Sequence, residues 1–306
     1  MSDYVAVIGA ANIDIGGQPS QTLIPRDSNS GLITVGYGGV ARNIAHNLCK
    51  LGVPVKLFTT VGEDALGRDM LDNCRHLGMD VSNVLINEND TSSMYVFITD
   101  VSGDMALAID HIKINKLSPE YFADKMDIIN DAKLVIVDCN ISQESFDYLA
   151  KNCTAPMFVD PVSTAHAKKI GKNFPYIDTL KPNALEAEFL TGMTIRTEED
   201  AMAAARALVE AGIKKVFLSM GPEGIVAADA DHVELVPSCP AEMICATGAG
   251  DSSMAAIAWS YYNDNEDIIE AARAGNAVAS LTIESVDAIN PALCAETLLR
   301  KIQEVY

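Results

Sequence analysis

The runs Leu134-Val135-Ile136-Val137-Asp138 and Met157-Phe158-Val159-Asp160, separated by a stretch of helical character near Gln143 to Lys151, set the pattern that decides the fold. Each run is short, apolar and closed by an aspartate, so each reads as a strand buried on both faces. The alternation continues. A helix opens at Asn183, another runs from Glu198 to Ala211, and Val216-Phe217-Leu218 returns to strand character. Strands alternating with helices need crossover connections, which gives an α/β fold with a mostly parallel sheet covered on both faces. Towards the N-terminus, Val5-Ala6-Val7-Ile8 reads as the first buried strand, followed by Gly9 and a turn through Ala10-Ala11-Asn12-Ile13-Asp14. A dinucleotide-binding turn would want glycines where Ala11 and Asp14 stand, so a cofactor pyrophosphate could not approach this backbone closely.

The 306 residues, 49% hydrophobic, suffice for one large α/β domain with an insertion or for two domains. A formal net charge of -20, with no basic run to offset it locally, argues against nucleic acid and anionic membranes as partners. No apolar run reaches the roughly 18 to 20 residues that span a bilayer, and Met1-Ser2-Asp3-Tyr4 carries no cationic leader, so a cytoplasmic protein is expected. Seven scattered cysteines without a Cys-x-x-Cys pair fit reduced thiols, and the five histidines show no metal-type spacing.

Two further regions organise the chain. Val40, Ile44, Leu48 and Leu51 recur at helical spacing behind Gly38-Gly39, which leaves Asn43 near the exposed first turn of that helix. Thr91 to Thr99, the turn Asp100 to Asp104 and Met105 to Ile109 read as a hairpin. With a segment near residues 15–35, this region near 88–114 forms either a lid over Asn12 and Asp14 or an extra edge of the main sheet. The spacing of Gly62 and Gly67 imitates a P-loop, but Arg68-Asp69 stands where Lys-Ser/Thr is required.

Candidate chemistry concentrates in Ala246-Thr247-Gly248-Ala249-Gly250-Asp251, directly before the Ala-rich run Ser252 to Trp259. Backbone amides at such a helix entry favour an anion, and a carboxylate among them is placed to take a proton from an attacking hydroxyl. A glycine turn capped by Asp251 fits the same residues. Asn12 and Asp14 suit sugar hydroxyls, or stabilise their own turn. Asn183 and Glu186, three residues apart, make a capping box or present oxygens to hydrated Mg²⁺; the two roles can coexist. Asp160 ends a strand where open α/β sheets bind ligands. Ser219, Gly221 and Gly224 form a tight turn that could approach a nucleotide, and Asn276 lies among small residues that allow packing over a flat ring.

Taken together, Asn12 with Asp14, Gly38-Gly39 with Asn43, the hairpin, Asn183 with Glu186, Ser219 with Gly221 and Gly224, and Thr247-Gly248-Ala249-Gly250-Asp251 resemble the ribokinase-like (PfkB) sugar kinases over essentially the whole chain. Within that family, Asp27 to Gly31, Gly38 to Ala45, Thr91-Ser92-Ser93, Val137 to Ser142 and Asp160-Pro161-Val162-Ser163 look most like bacterial pseudouridine kinases. The resemblance implies one three-layer α/β sandwich domain over 1–306 with a small β-sheet lid, ATP and Mg²⁺ as cofactors, and a nucleoside or sugar acceptor; an apolar outer face on that lid would favour a homodimer formed through it. It implies Asp251 as base, the amides of Gly248, Ala249 and Gly250 around the transferred phosphoryl group, and Asn12, Asp14, Gly38, Gly39 and Asn43 on the ribose. It further implies Ser93 towards the base, Asn183, Ser219, Gly221, Gly224, Thr247 and Asn276 at ATP, and Glu186, Asn183 and Asp160 around Mg²⁺ through water. Where relatives that use K⁺ carry Asp-Thr, this chain has Cys245-Ala246, so K⁺ dependence is not expected. Kinases for another nucleoside, ribose or fructose, and a non-catalytic nucleoside-binding relative, are the competing readings.

Overall fold

The computed structural model describes residues 4–306; residues 1–3, most of the stretch read as lacking a leader, lie outside the described residues. Its strands are β1 (Val5–Ile8), β2 (Asn12–Pro19), β3 (Gly31–Gly38), β4 (Val55–Phe58), β5 (Thr60–Gly62), β6 (Met79–Asp80), β7 (Leu85–Asn87), β8 (Met94–Thr99), β9 (Met105–His111), β10 (Leu134–Asp138), β11 (Met157–Asp160), β12 (Thr179–Leu180), β13 (Lys215–Ser219), β14 (Gly224–Ala228) and β15 (Val233–Pro237). The main sheet runs β15-β14-β13-β12-β11-β10-β1-β4-β6, parallel except where β14 and β15 turn back on β13. Both faces are covered. Val5 and Val7 enter one core with Ile44, Leu48, Met254 and Ile257, whereas Ala6 and Ile8 enter the other with Phe146, Leu149 and Leu208. That two-sided burial explains why β1, β10 and β11 are apolar at successive positions.

Strand order reverses direction around β1, which pairs with β10 on one side and β4 on the other. The crevice at such a switch point is the usual ligand position of an open α/β sheet. Its floor is built from Asp138, Asp160 and Ser219 at the carboxyl ends of β10, β11 and β13, with Lys181 directly after β12. Over it stands a second sheet, β3-β2-β8-β9. The hairpin therefore joins a separate small sheet, not the edge of the main one. Asn12 and Asp14 lie in β2, not in a turn: Asn12 pairs with Gly38 and Asp14 with Gly36, so the backbone runs straight from the main sheet into the small one.

Register divides the small sheet into two unlike faces. Ile15, Val35, Ile33, Val96, Ile98, Ile109 and Leu107 point to one side, and Asp14, Gly16, Gly36, Tyr95 and Phe97 to the other. A C-terminal helix, Ala295–Val305, has no counterpart among the expected elements; it packs Leu298, Ile302 and Val305 beside Val278. Among the described residues no helix is long and apolar enough to cross a membrane, and all seven cysteines are unpaired.

Candidate active site

Two turns from distant parts of the chain meet in the crevice. Gly39 precedes the helix Val40–Lys50 with φ of 97°, and a Cβ there would sit 2.4 Å from the carbonyl oxygen of Ala10. Gly248, with φ of 84°, opens the helix Ala249–Tyr262, and a Cβ on it would sit 2.0 Å from the carbonyl oxygen of Ala288. Glycine is required at both for backbone approach as well as for φ. The second helix is buried on almost every side, from Ser252 to Ala258, so its N-terminus is held firmly in place.

The two helix entries are joined by Asn43 Nδ2, which donates to Asp251 Oδ2 at 2.9 Å. Asn43 is buried, contrary to the exposed first turn expected for it, and its amide hydrogens face Asp251. Asp251 is pushed up to about 7, first by desolvation and then by the negative charge of Asp160; the Asn43 hydrogen bond and the Lys181 ammonium pull the other way. A carboxyl group titrating near neutrality at a helix N-terminus is suited to receive a proton during turnover. Of the three amides assigned to the anion, Ala249 N turns back onto the carbonyl of Ala246 at 3.4 Å, whereas the first-turn amide of Gly250 has no carbonyl within the helix to receive it.

Asp14 lies over Gly38, where a Cβ would sit 2.1 Å from Asp14 Oδ2. Asn12 Nδ2 donates to Asp14 Oδ1. Burial raises Asp14 to about 6, offset in part by the Arg42 guanidinium and by Asn12. Ser93 is buried, and its hydroxyl accepts the amide of Lys113 at 2.8 Å, so its proton and one lone pair are left for a ligand.

On the other side of Asp251, Asn183 and Glu186 form the expected reciprocal cap, each side chain accepting the other's backbone amide at 2.9 Å. Glu186 is 4% exposed and its carboxyl is raised, chiefly by desolvation, with Asp160 adding to it. Asp160 Oδ1 accepts the amide of Val162 at 2.8 Å, and Oδ2 lies 3.7 Å from Lys181 Nζ. Among the described residues no three acidic, histidine or cysteine side chains converge closely enough to ligate an ion directly. Surplus buried negative charge without a direct ligand cage fits Mg²⁺ held through its own waters.

Asn183 pairs with Ser219 across an isolated bridge. Beside them a cavity of about 550 Å³ is lined by Gly221, Pro222, Met243, Ala246, Asn276 and Ile283. Asn276 borders it, but its amide donates to the carbonyls of Val236 and Pro237 at 2.9 and 3.0 Å, so it ties the β15 end to the helix Ile268–Ile283. Gly224 is a packing glycine: a Cβ on it would lie 2.1 Å from Val236 O. Thr247 is exposed at the lip of the turn.

Three residues of this site carried no expected role. Asp138, fully buried, accepts the amides of Ala10, Ala41 and Asn140 at 2.8 to 2.9 Å, and so fastens the turn after β1 to the Asn43 helix. Its carboxylate lies where a Cβ on Gly9 would be, which accounts for that glycine without a dinucleotide. Lys181, 5% exposed, is the cation between Asp160 and the anion turn, its Nζ 3.7 Å from the position of a Cβ on Gly250. Arg42 is the third. A lysine and an arginine buried beside carboxylate-ending strands were the available signals.

The family model for pfkB family carbohydrate kinases matches residues 2–294. The chain belongs to this family. It is 36% identical to the pseudouridine kinase of Escherichia coli K12, covering 98% of this chain and 97% of that protein. It is 28% identical to a guanosine-inosine kinase of Exiguobacterium acetylicum, over 92% and 95% of the two chains. Its fold is similar to that of a putative sugar kinase from Clostridium perfringens, with a TM-score of 0.90, 28% identity and coverage of 100% and 97%. The pfkB chain described here is therefore a phosphotransferase with an alcohol acceptor, built on the ribokinase-like fold.

Proposed function

We propose that the protein transfers the γ-phosphoryl group of ATP to the 5′-hydroxyl of pseudouridine, giving pseudouridine 5′-phosphate and ADP. The observation that favours a nucleoside over a free sugar is the aromatic pair on the Asp14 face of the small sheet. Tyr95 is in register with Asp14, Phe97 lies against Gly16 one pair further on, and the two ring centroids are 5.8 Å apart. Asp14, with Asn12 and the Gly38-Gly39 backbone, holds the ribose hydroxyls, and a base attached to that ribose extends along the strand onto the rings. The identity to a pseudouridine kinase supports the choice of base.

Asp251 removes the proton of the 5′-hydroxyl as its oxygen bonds to the γ-phosphorus and the bond to the β–γ bridging oxygen breaks. The proton stays on Asp251 until product leaves. Asn43 orients the base carboxylate, the Gly248 and Gly250 amides and the helix terminus stabilise the equatorial oxygens, and Lys181 faces the same anion. Asn183, Ser219, Gly221 and Thr247 border the nucleotide. Asp160, Glu186 and Asn183 would hold hydrated Mg²⁺, which supplies charge compensation on the phosphate oxygens. Cys245 and Ala246 stand where K⁺-using relatives carry Asp-Thr, and a thiol is a poor ligand for a hard ion, so turnover is expected not to require K⁺.

The whole chain acts as one catalytic domain, in the cytoplasm, with the small sheet as its lid. The lid's apolar face exposes Ile33, Val35, Leu107 and Ile109, each at 58% or more, and a second copy of the chain covers it. Solution mass decides this: Ile109→Asp gives a monomer if the lid is the interface, and a wild-type monomer refutes it. The test of the function is ADP release with ATP and a panel of pseudouridine, uridine, guanosine, ribose and fructose. Preference for a free sugar overturns the nucleoside reading, and preference for a purine nucleoside moves the substrate towards that of the guanosine-inosine relative.

A further inference from the structure

Arg42 is 4% exposed, and its guanidinium is engaged by neutral oxygens: Nη1 donates to Tyr37 O at 3.0 Å and Asn43 Oδ1 at 3.2 Å, and Nη2 to Asn73 Oδ1 at 2.8 Å. Its buried Nε meets no hydrogen-bond acceptor at bonding geometry among the described residues, and the Cys74 thiol lies beside the guanidinium. Asp14 faces it, but no carboxylate is hydrogen-bonded to it, and burying a guanidinium in that way is costly, so this placement needs a cause beyond stability. The cause lies in the one-sidedness of the group. A guanidinium only donates, so the Asn43 amide must turn its oxygen towards Arg42. Its nitrogen then faces away, and that nitrogen lies 2.9 Å from Asp251 Oδ2. Reversing the amide would set N–H against N–H at Arg42 and oxygen against carboxylate at Asp251.

We propose that Arg42 is a positioning residue that fixes the orientation of the Asn43 amide and thereby presents a hydrogen-bond donor to Asp251, leaving the second carboxylate oxygen for the acceptor hydroxyl. Asn73, on the helix Ala65–His76, and the Tyr37 carbonyl, in β3, hold the guanidinium in that pose. The inference rests on Asp251 acting as the base. The titratable and charged groups around the relay are Asp160, Asp138 and Lys181 facing Asp251, and Asp14, Cys74, Tyr37 and His46 facing Arg42. With Arg42 gone, the Asn43 amide is free to turn its oxygen to Asp251, an arrangement that requires a protonated carboxyl. The enzyme then needs a more alkaline medium to generate its base.

The test measures kcat and acceptor KM for Arg42→Met, Arg42→Lys and Asn73→Leu across the acidic and alkaline range, with urea unfolding of each variant. Arg42→Met is expected to lose about tenfold in kcat near neutrality, with the acid limb moved up by about one pH unit, so that the loss shrinks in alkaline medium. Arg42→Lys, which still donates to Asn43, recovers part of the shift, and Asn73→Leu, remote from the crevice, moves the limb the same way by less. A loss of equal size at every pH, or an acid limb that does not move in any of the three, overturns the proposal. Asp251→Asn separates the two layers. If it is inactive while the Arg42 limb stays fixed, only the relay fails; if it turns over normally, the base assignment itself has failed.

Discussion

Replacing Asp251 by asparagine should make the resting protein more stable while removing its turnover, and the stability gain should depend on pH in a set direction. The Asp251 carboxyl is lifted from 3.8 to about 7, mainly by desolvation and by Asp160. At about 1.4 kcal/mol per pH unit, this sets a ceiling of about 4 kcal/mol on the cost of the charge in the folded state. The carboxylate is only half-buried, so solvent screens part of that, and a gain of about 1 to 3 kcal/mol is the working figure. The sign follows from the raised folded value. The contribution of this group to stability is fully present below about pH 4 and is lost as pH rises through about 7. Asp251→Asn is neutral throughout and keeps an amide oxygen for Asn43 Nδ2, so the variant gains over wild type from mildly acidic pH up to neutrality and keeps the gain above it. Urea unfolding of the ligand-free proteins at acidic, neutral and alkaline pH reads the difference, and ADP release reads turnover, expected to fall by about 10²- to 10⁴-fold. A pH-independent difference, or a variant less stable than wild type in alkaline medium, refutes the account of the site's electrostatics. Near-normal turnover refutes the role of Asp251.

Gly38→Ala puts a Cβ 2.1 Å from Asp14 Oδ2 and must displace that carboxylate, so acceptor KM should rise at least tenfold, with KM for ATP unchanged, in initial-rate kinetics. Asp138→Ala strips the acceptor from the Ala10, Ala41 and Asn140 amides; at about 1 to 3 kcal/mol for each orphaned donor, urea unfolding should show a loss of roughly 3 to 9 kcal/mol, and a loss under about 1 kcal/mol would remove Asp138 as the fastener of this crevice. ATP with EDTA should bind far more weakly than ATP with Mg²⁺ in calorimetric titration, whereas equal affinities would contradict the reading of Asp160 and Glu186 as a surplus of negative charge.

The main sheet was legible because β10, β11 and β1 are apolar at consecutive positions, which only two-sided burial explains. The small sheet was half legible. Its hairpin shows in the alternation from Thr91 to Ile109, but β2 does not, because Asn12, Asp14, Gly16 and Gly17 read as turn chemistry; their strand character comes from pairing with β3 and β8. Asp251 was singled out as a candidate through the glycine turn before it, whereas Asp138 was not, since a strand-ending aspartate shows its role only once Ala10 and Ala41 are brought to it from far away in the chain. Asn43 was placed on the correct helix but on the wrong side of the buried boundary. Helical spacing marked its turn as exposed, and the helix Ala249–Tyr262 covers that turn.

The site's charge distribution links these particulars. Asp160, Glu186 and Asp251 stand around a single ammonium, that of Lys181, at the end of a sheet that also buries Asp138. Such a crevice is poorly suited to a free triphosphate and well suited to one arriving with a divalent cation. Burial first, and the charge of Asp160 after it, keep Asp251 near neutrality in the resting state. In the proposed mechanism this arrangement would serve two ends: it would make nucleotide binding depend on the cation, and it would help give Asp251 a proton affinity high enough to take a proton from an alcohol within the enclosed crevice. Removing Asp160 would relax both at once, because it is the charged neighbour that raises Asp251 most, so its proposed part in holding the cation is not separable from its effect on the base.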